Sequence, residues 1–386
     1  FVPVTTVNSN TLPVAGLRSL QVLRDGAAAI YGSDAVAGVI NYALKDDYDG
    51  SRFSLSHGLS EGTSLNQTTF SFLNGFDLND GASHLTWSFN YYTREGMMAS
   101  ERPYSRSDDR REAAGIPDDF LGDTQLDNRS TSTPWGDFIG ENMGRFHIQP
   151  DTMSGCVVDL GNGICADTGG FPRDLRLDRA LFRSMTSDVD RMNFYGYFTH
   201  DFDDGLEFFA EALYYDASSE RTREQTGNLT AQRFTIADTA AHNPFGEQVT
   251  VRSYRPVDAG NRDIVVDDSS FRILGGFRGF FGDDWDWESA VLHSEAKTED
   301  LAKNRVRASA FQAAINNTNP SQAYNPFNGS DINNVNGFDT TVNPDSVIAP
   351  FLVDVSRDSK TTLSLIDFKV TNNALWEMSA GDVGAA

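Results

Sequence analysis

From about Gly50 onward, apolar side chains return at every second position in separate runs divided by polar turns. That period of two belongs to a β-strand with one apolar face. The cleanest run is Leu85, Trp87, Phe89 and Tyr91, alternating with Thr86, Ser88 and Asn90. Earlier runs carry Phe53 and Leu55, then Phe70 and Phe72. Later ones carry Met192, Phe194 and Phe198; Leu206, Phe208, Ala210, Ala212 and Tyr214; Phe271, Ile273 and Phe277; Trp285, Trp287 and Val291; and Ile366, Phe368 and Val370. The pattern predicts strands at 51–58, 67–78, 84–94, 190–202, 206–222, 268–281, 285–299, 361–371 and 375–386.

The connections carry the topology. Tight turns are predicted at 79–83, 203–205, 282–284 and 372–374, where Asp, Asn and Gly gather. Long connections fall between them at 96–188, 224–267 and 301–358. Alternating short and long links describe an antiparallel meander trimmed at one end and elaborated at the other, as in an up-and-down membrane barrel. The stretch 248–257 breaks the alternation of links if counted as a crossing, so it is placed as a strand within the 224–267 loop, projecting above the membrane. A short helix is expected at Ala308 to Ile315.

Composition narrows the class. The 386 residues carry a formal net charge of −24, which argues against nucleic acid, since phosphate neutralisation needs clustered Lys and Arg. No run of about eighteen apolar residues offers a membrane helix. With 27 Phe, 12 Tyr and 5 Trp, the remaining choices are a soluble β protein or a membrane β-barrel, whose lumen and loops dilute its apolar band. In a barrel, Trp87, Phe89 and Tyr91 face lipid or an aromatic girdle, and Thr86, Ser88 and Asn90 face the lumen.

No enzyme is expected. The 6 His are scattered outside any metal pattern, and nucleophile-elbow, P-loop and dinucleotide motifs are absent. No cofactor or metal follows. The acidic doublets, such as Asp203-Asp204 and Asp283-Asp284, suit solvated turns better than calcium. Cys156 and Cys165 allow a redox pair, a metal site or a loop disulfide. Without a C-x-x-C or a nearby His, the disulfide is the preferred reading.

The stretch Leu17 to Lys45, LRSLQVLRDGAAAIYGSDAVAGVINYALK, reads as strand, turn, one helical turn and strand, with tight backbone approaches at Gly26, Gly32 and Gly38. It resembles the end of the plug domain of TonB-dependent outer-membrane receptors. The V-L-R-D-G of Val22–Gly26, the Y-G-S-D-A of Tyr31–Ala35 and the G-V-I-N of Gly38–Asn41 appear in that family's order. The resemblance implies a small α+β plug segment at 1–49. After it, an all-β-dominated, partial antiparallel transmembrane barrel occupies 50–386. It also implies energised uptake of a scarce, bulky nutrient across the bacterial outer membrane. The partners would be TonB, outer-membrane lipid and an extracellular small-molecule or oligosaccharide ligand. Plug–barrel contacts would fall to Arg24, Asp25, Gly26, Tyr31, Gly32, Ser33, Asp34, Gly38 and Asn41, with Arg24 pairing a barrel acid.

FVPVTTVNSNTLPVAGL reads as the interior of a domain, and plugged barrels close at about 22 strands. The chain is therefore expected to be a segment of a longer receptor. The competing class is a soluble, secreted β-rich adhesin or glycan-binding module. A passive porin fits less well, because diffusion channels carry no N-terminal plug.

Overall fold

The computed structural model describes residues 9–24, 38–202, 205–227, 233–282, 284–329, 342–378 and 381–385. In chain order, β1 (Leu17–Leu23) and β2 (Val39–Leu44) pair antiparallel. Next come β3 (Gly50–Leu59), β4 (Asn66–Leu78) and β5 (Ser83–Arg94). A first insertion holds β6 (Met97–Met98), β7 (Asp137–Gly140), β8 (Gly144–Pro150), β9 (Cys156–Gly161), β10 (Ile164–Asp167) and β11 (Ser184–Thr186). Strands β12 (Asp188–Asp201) and β13 (Leu206–Arg223) follow, then a second insertion with β14 (Thr235–Ile236) and β15 (Val249–Ser253). Strands β16 (Arg262–Phe281) and β17 (Trp285–Val306) lead to a third insertion with α1 (Ala308–Ile315) and α2 (Asp345–Ile348). The chain ends in β18 (Leu352–Met378) and β19 (Gly381–Ala385).

Among the described residues, β3, β4, β5, β12, β13, β16, β17, β18 and β19 form one nine-stranded antiparallel meander in sequence order. Register sorts its side chains onto two faces. One row runs Phe53–Phe72–Phe89–Phe194–Tyr214–Phe271 across six strands. Another runs Phe76–Leu85–Phe198–Ala210–Gly275–Val291–Ile366. The opposite face reads Ser54–Ser71–Asn90–Asn193–Tyr215–Ser270. Thus Trp87, Phe89 and Tyr91 share the apolar face, and Thr86, Ser88 and Asn90 the polar one. Ile366 and Phe368 are 78% and 67% exposed, so no protein covers the apolar face there.

A spanning strand needs about 9–11 residues, yet β13, β16 and β17 have 18, 20 and 22. Beyond the aromatic rows their apolar-side positions turn ionic: Asp216, Asp267, Lys297 and Glu299, with Glu295 standing opposite Phe271 where the row ends. Lys297 and Lys360 both pair with Glu295, at 3.0 and 2.8 Å. These strands therefore extend well past their apolar band.

The sequence pattern treated the three insertions as loops. Instead they fold together. A six-stranded sheet in the order β14-β15-β7-β8-β10-β9 joins the first insertion to the second, with Val251 opposite Phe138. From the third, α1 covers it: Gln312 bonds both the amide and carbonyl of Thr235, at 3.2 and 2.6 Å. The shared core contains Phe138, Phe146, Tyr254, Phe311, Tyr324 and Phe351, all buried. No single insertion supplies enough apolar area for a core, but three together do. The strand expected within 248–257 is β15, and it belongs to this sheet rather than to the meander. The expected helix is α1, with its predicted bounds.

Cys156 on β9 and Cys165 on β10 are joined by a disulfide, with Cα atoms 5.6 Å apart. In the denatured, unreduced protein, thiol titration is expected to find no free thiols, and two after reduction. Replacing both with Ser is expected to cost the insertion unit about 2–3 kcal/mol.

One turn lies elsewhere than the sequence suggested. Asn372-Asn373 does not reverse the chain: β18 continues to Met378, and the reversal falls between Met378 and Gly381. Asn372 stays in register opposite Trp285 and is buried, so pairing with β17 overrides the local turn preference of Asn.

Candidate functional site

Residues 9–24 and 38–48 lie against the polar face of the meander. Two 3-10 turns, Ser9–Thr11 and Val14–Gly16, lead into β1. Gly38 opens β2 with φ +139°, and a Cβ there would fall 2.5 Å from the Leu23 carbonyl oxygen. Only glycine admits that approach of β2 to the end of β1. Within the segment, Arg18 pairs with both Asp46 and Asp47, and its bond to Asp47 holds that carboxyl below its usual range.

Directed polar contacts join segment to sheet. Tyr195 donates its hydroxyl to the Lys45 carbonyl at 2.7 Å. The Tyr48 amide donates to Thr86 Oγ1 at 3.1 Å, while His84 Nε2 lies 3.0 Å from the Tyr48 carbonyl. Asn193 donates to the Asn10 carbonyl at 3.0 Å, and Arg191 to Asn10 Oδ1 at 2.5 Å. At Gly75, a Cβ would lie 1.7 Å from the Tyr48 carbonyl oxygen, so this glycine lets the chain pass close over β4. These bonds are between polar groups that water can also satisfy, so each is worth only about 1 kcal/mol net. The seam is specific without being permanent.

Where the insertion unit meets the long strands, Glu224 is 8% exposed beside two arginines. Arg183 donates to Glu224 Oε1 at 2.6 Å, and the Arg255 guanidinium lies 4.0 Å away. Arg255 also bonds the Gln225 carbonyl, and the Ser132 carbonyl at 3.0 Å. Gln225 in turn reaches the Gly260 and Asn304 carbonyls at 3.1 and 3.0 Å. One junction therefore ties the first two insertions to the end of β17. Burial, the largest single influence, pushes the Glu224 carboxyl up, but the Arg183 bond, a backbone amide and the charges of Arg183 and Arg255 together hold the group below its usual value. Deeper in the unit, Tyr324 donates to Asp258 Oδ1 at 2.6 Å and Asn343 to Oδ2 at 2.8 Å, while burial raises the Asp258 carboxyl.

No family model matches this sequence, and neither does any curated protein. Several solved structures show similarity, among them three iron-uptake receptors. The ferric preacinetobactin receptor BauA of Acinetobacter baumannii is 12% identical, with 91% of this chain and 45% of that one covered and a TM-score of 0.29. A variant of the ferric enterobactin receptor PfeA of Pseudomonas aeruginosa, in complex with enterobactin, is 14% identical over 77% and 38%, with a TM-score of 0.24. The ferric-catecholate import receptor Fiu of E. coli is 10% identical over 91% and 56%, also at 0.24. The chain spans about half the length of these receptors or less. Its fold class rests on its own sheet: all-β, antiparallel, a partial barrel wall.

Of the residues singled out from sequence, Asp25, Gly26, Tyr31, Gly32, Ser33 and Asp34 lie outside the described residues. Arg24 follows β1, exposed, and no ion pair joins it to the sheet among the described residues. Gly38 and Asn41 sit in the β1–β2 pair, where Asn41 donates to Gln21 at 3.4 Å. The contacts that sequence reading missed come from Asn10, Lys45 and Tyr48 on one side and His84, Asn193 and Tyr195 on the other. Half of that signal was visible: the polar partners of an alternating strand must face something other than lipid. Among the described residues no cluster of His, Cys, Asp and Glu is arranged to hold a metal ion.

Proposed function

We propose that this chain is the plug-and-wall portion of a TonB-dependent outer-membrane receptor for a scarce, bulky nutrient of siderophore, cobalamin or oligosaccharide type. The observation that carries this reading is the two-faced meander, apolar and uncovered on one side, with Asn10, Lys45 and Tyr48 of the N-terminal segment hydrogen-bonded to the other. A bilayer takes the apolar face, and the polar face lines a lumen that the segment occludes. The motif residues Arg24–Gly26, Tyr31–Asp34, Gly38 and Asn41 set plug–barrel contacts, and Arg24 holds the plug against a barrel acid until TonB pulls. The seam's modest polar bonds suit a plug that must rearrange. A soluble adhesin is disfavoured because Ile366, Phe368 and the aromatic rows would form a large exposed patch in water.

Two measurements test this. Spin labels at 88 and 89 are expected to differ: label 89 meets a lipid-soluble relaxant, and label 88 does not. Equal accessibility of both sinks the membrane assignment. Second, a Cβ on Gly16 would lie 3.0 Å from Ser88 Oγ. A Gly16→Cys, Ser88→Cys pair in the full-length receptor, oxidised to a disulfide, is expected to abolish energised uptake while each single variant retains it. Uptake undiminished by the cross-link rules out plug movement as the gate.

A further inference from the structure

Between residues 9–17, Lys45 and the sheet lies a cavity of about 530 Å³. Its charged lining residues are Lys45, Arg52 and Arg191, and among the described residues that line it there is no carboxylate. In a chain of net charge −24 this is an unusual concentration of one sign. Arg191 is held in place over the Tyr92 ring, 4.8 Å from its centroid, and by its bond to Asn10. Arg52 has no hydrogen-bond or ion-pair partner among the described residues. The Asn90 Nδ2 donor, also in the lining, is buried without a partner.

The site therefore offers donors and positive charge in excess of acceptors. Gathering like charges around a partly desolvated cavity is unfavourable unless a counter-charge enters. Lys45 records that cost: burial first, and the Arg52 charge second, lower its amine below the usual lysine value.

We propose that this cavity is an oxyanion-binding site at the plug–wall seam, taking a phosphate or carboxylate group between Lys45, Arg52 and Arg191, with Asn90 as a neutral donor. The inference rests on the plug reading for its location. Bound there, an oxyanion bridges a plug cation to two wall cations and fastens the seam. Its removal returns like charges to mutual repulsion and loosens the plug. A free inorganic anion and an acidic group on a transported ligand share this chemistry.

The test uses the detergent-solubilised protein at constant ionic strength, with inorganic phosphate in one arm and citrate in the other. A ligand that binds the folded state alone raises the unfolding temperature in a saturable way. We expect saturable stabilisation by at least one of the two. Phosphate acting alone or with citrate assigns the site to free anions, and citrate alone to organic carboxylates. Lys45→Gln with Arg52→Gln is expected to weaken the apparent affinity at least about tenfold, the loss of charge-assisted bonds. Arg106→Gln, a surface arginine in the first insertion, is expected to leave it unchanged. Should the double variant misfold, Arg52→Gln alone, on an exposed side chain of the edge strand β3, replaces it. A response that never saturates, or one that persists undiminished in the Lys45 and Arg52 variants, overturns the proposal. Binding is read without uptake, so a receptor that fails the anion test but is stopped by the 16–88 cross-link loses only this site. One that binds phosphate yet transports when cross-linked loses only the plug mechanism.

Discussion

Phe138→Ala is expected to destabilise the insertion unit by about 3–5 kcal/mol and to render all three insertions protease-sensitive together. Phe138 is fully buried and its ring meets Phe146, Tyr254 and Phe327 at 5.4, 6.3 and 5.0 Å. Those neighbours come from the first, second and third insertions, so truncation removes contacts to every part at once. The nine-stranded sheet lies outside this core, so its strands are expected to stay protected from the protease. Limited proteolysis with site mapping checks the outcome. Cleavage confined to the first insertion would show three independent loops rather than one folded unit.

The second large effect is expected at Glu224. Replacing it with Ala leaves Arg255, with its side chain only 7% exposed, and Arg183 facing each other without an anion. Losing one partner of a buried pair costs about 3–5 kcal/mol, and the lower end applies because Arg183 remains partly solvated. Glu224→Gln, which keeps a hydrogen-bond acceptor, is expected to recover part of the loss. Thermal unfolding followed through the unit's aromatic signal measures both, and a wild-type midpoint in the Ala variant contradicts the role of the junction.

The same chemistry sets a pH dependence. Glu224 is held below its usual value in the fold, and Asp109 is drawn down to about 2, chiefly by its bond to Arg111. A depressed carboxyl stabilises the fold above its unfolded value and loses that contribution as pH falls through the folded one. The unit is therefore expected to weaken from about pH 4 down to about pH 2. Asp258, raised by burial, has the opposite sign: its contribution is present at low pH and fades as pH rises through its folded value. Midpoints measured from pH 2 to 7 in wild type and Glu224→Gln separate these contributions, since the variant's acid branch should flatten.

What the sequence by itself determined is the wall. Period-two alternation is a local property, because each strand shows its apolar face to one medium along its whole length. The runs from Phe53 to Phe368 therefore announced strand positions, faces and antiparallel order without any knowledge of neighbours. Turn chemistry at 79–83, 203–205 and 282–284 supplied the short links, and α1 was legible because Ala308–Ile315 is a helix-favouring stretch with Phe311 and Ile315 on one side. Only the tertiary structure decided the rest. Phe138, Val251 and Tyr324 lie in segments with no sustained periodicity, far apart in the chain, and each segment alone buries too little to hold a shape. Their core exists because the strand pairs β5 and β12, β13 and β16, and β17 and β18 carry the three insertions to one end of the sheet and place them side by side. The seam is of the same kind: Lys45, Arg52 and Arg191 are ordinary exposed-looking cations in sequence. They become a cavity only when residues 9–17 and 45–48 settle on the polar face, since a pocket is a relation between surfaces that no single stretch contains.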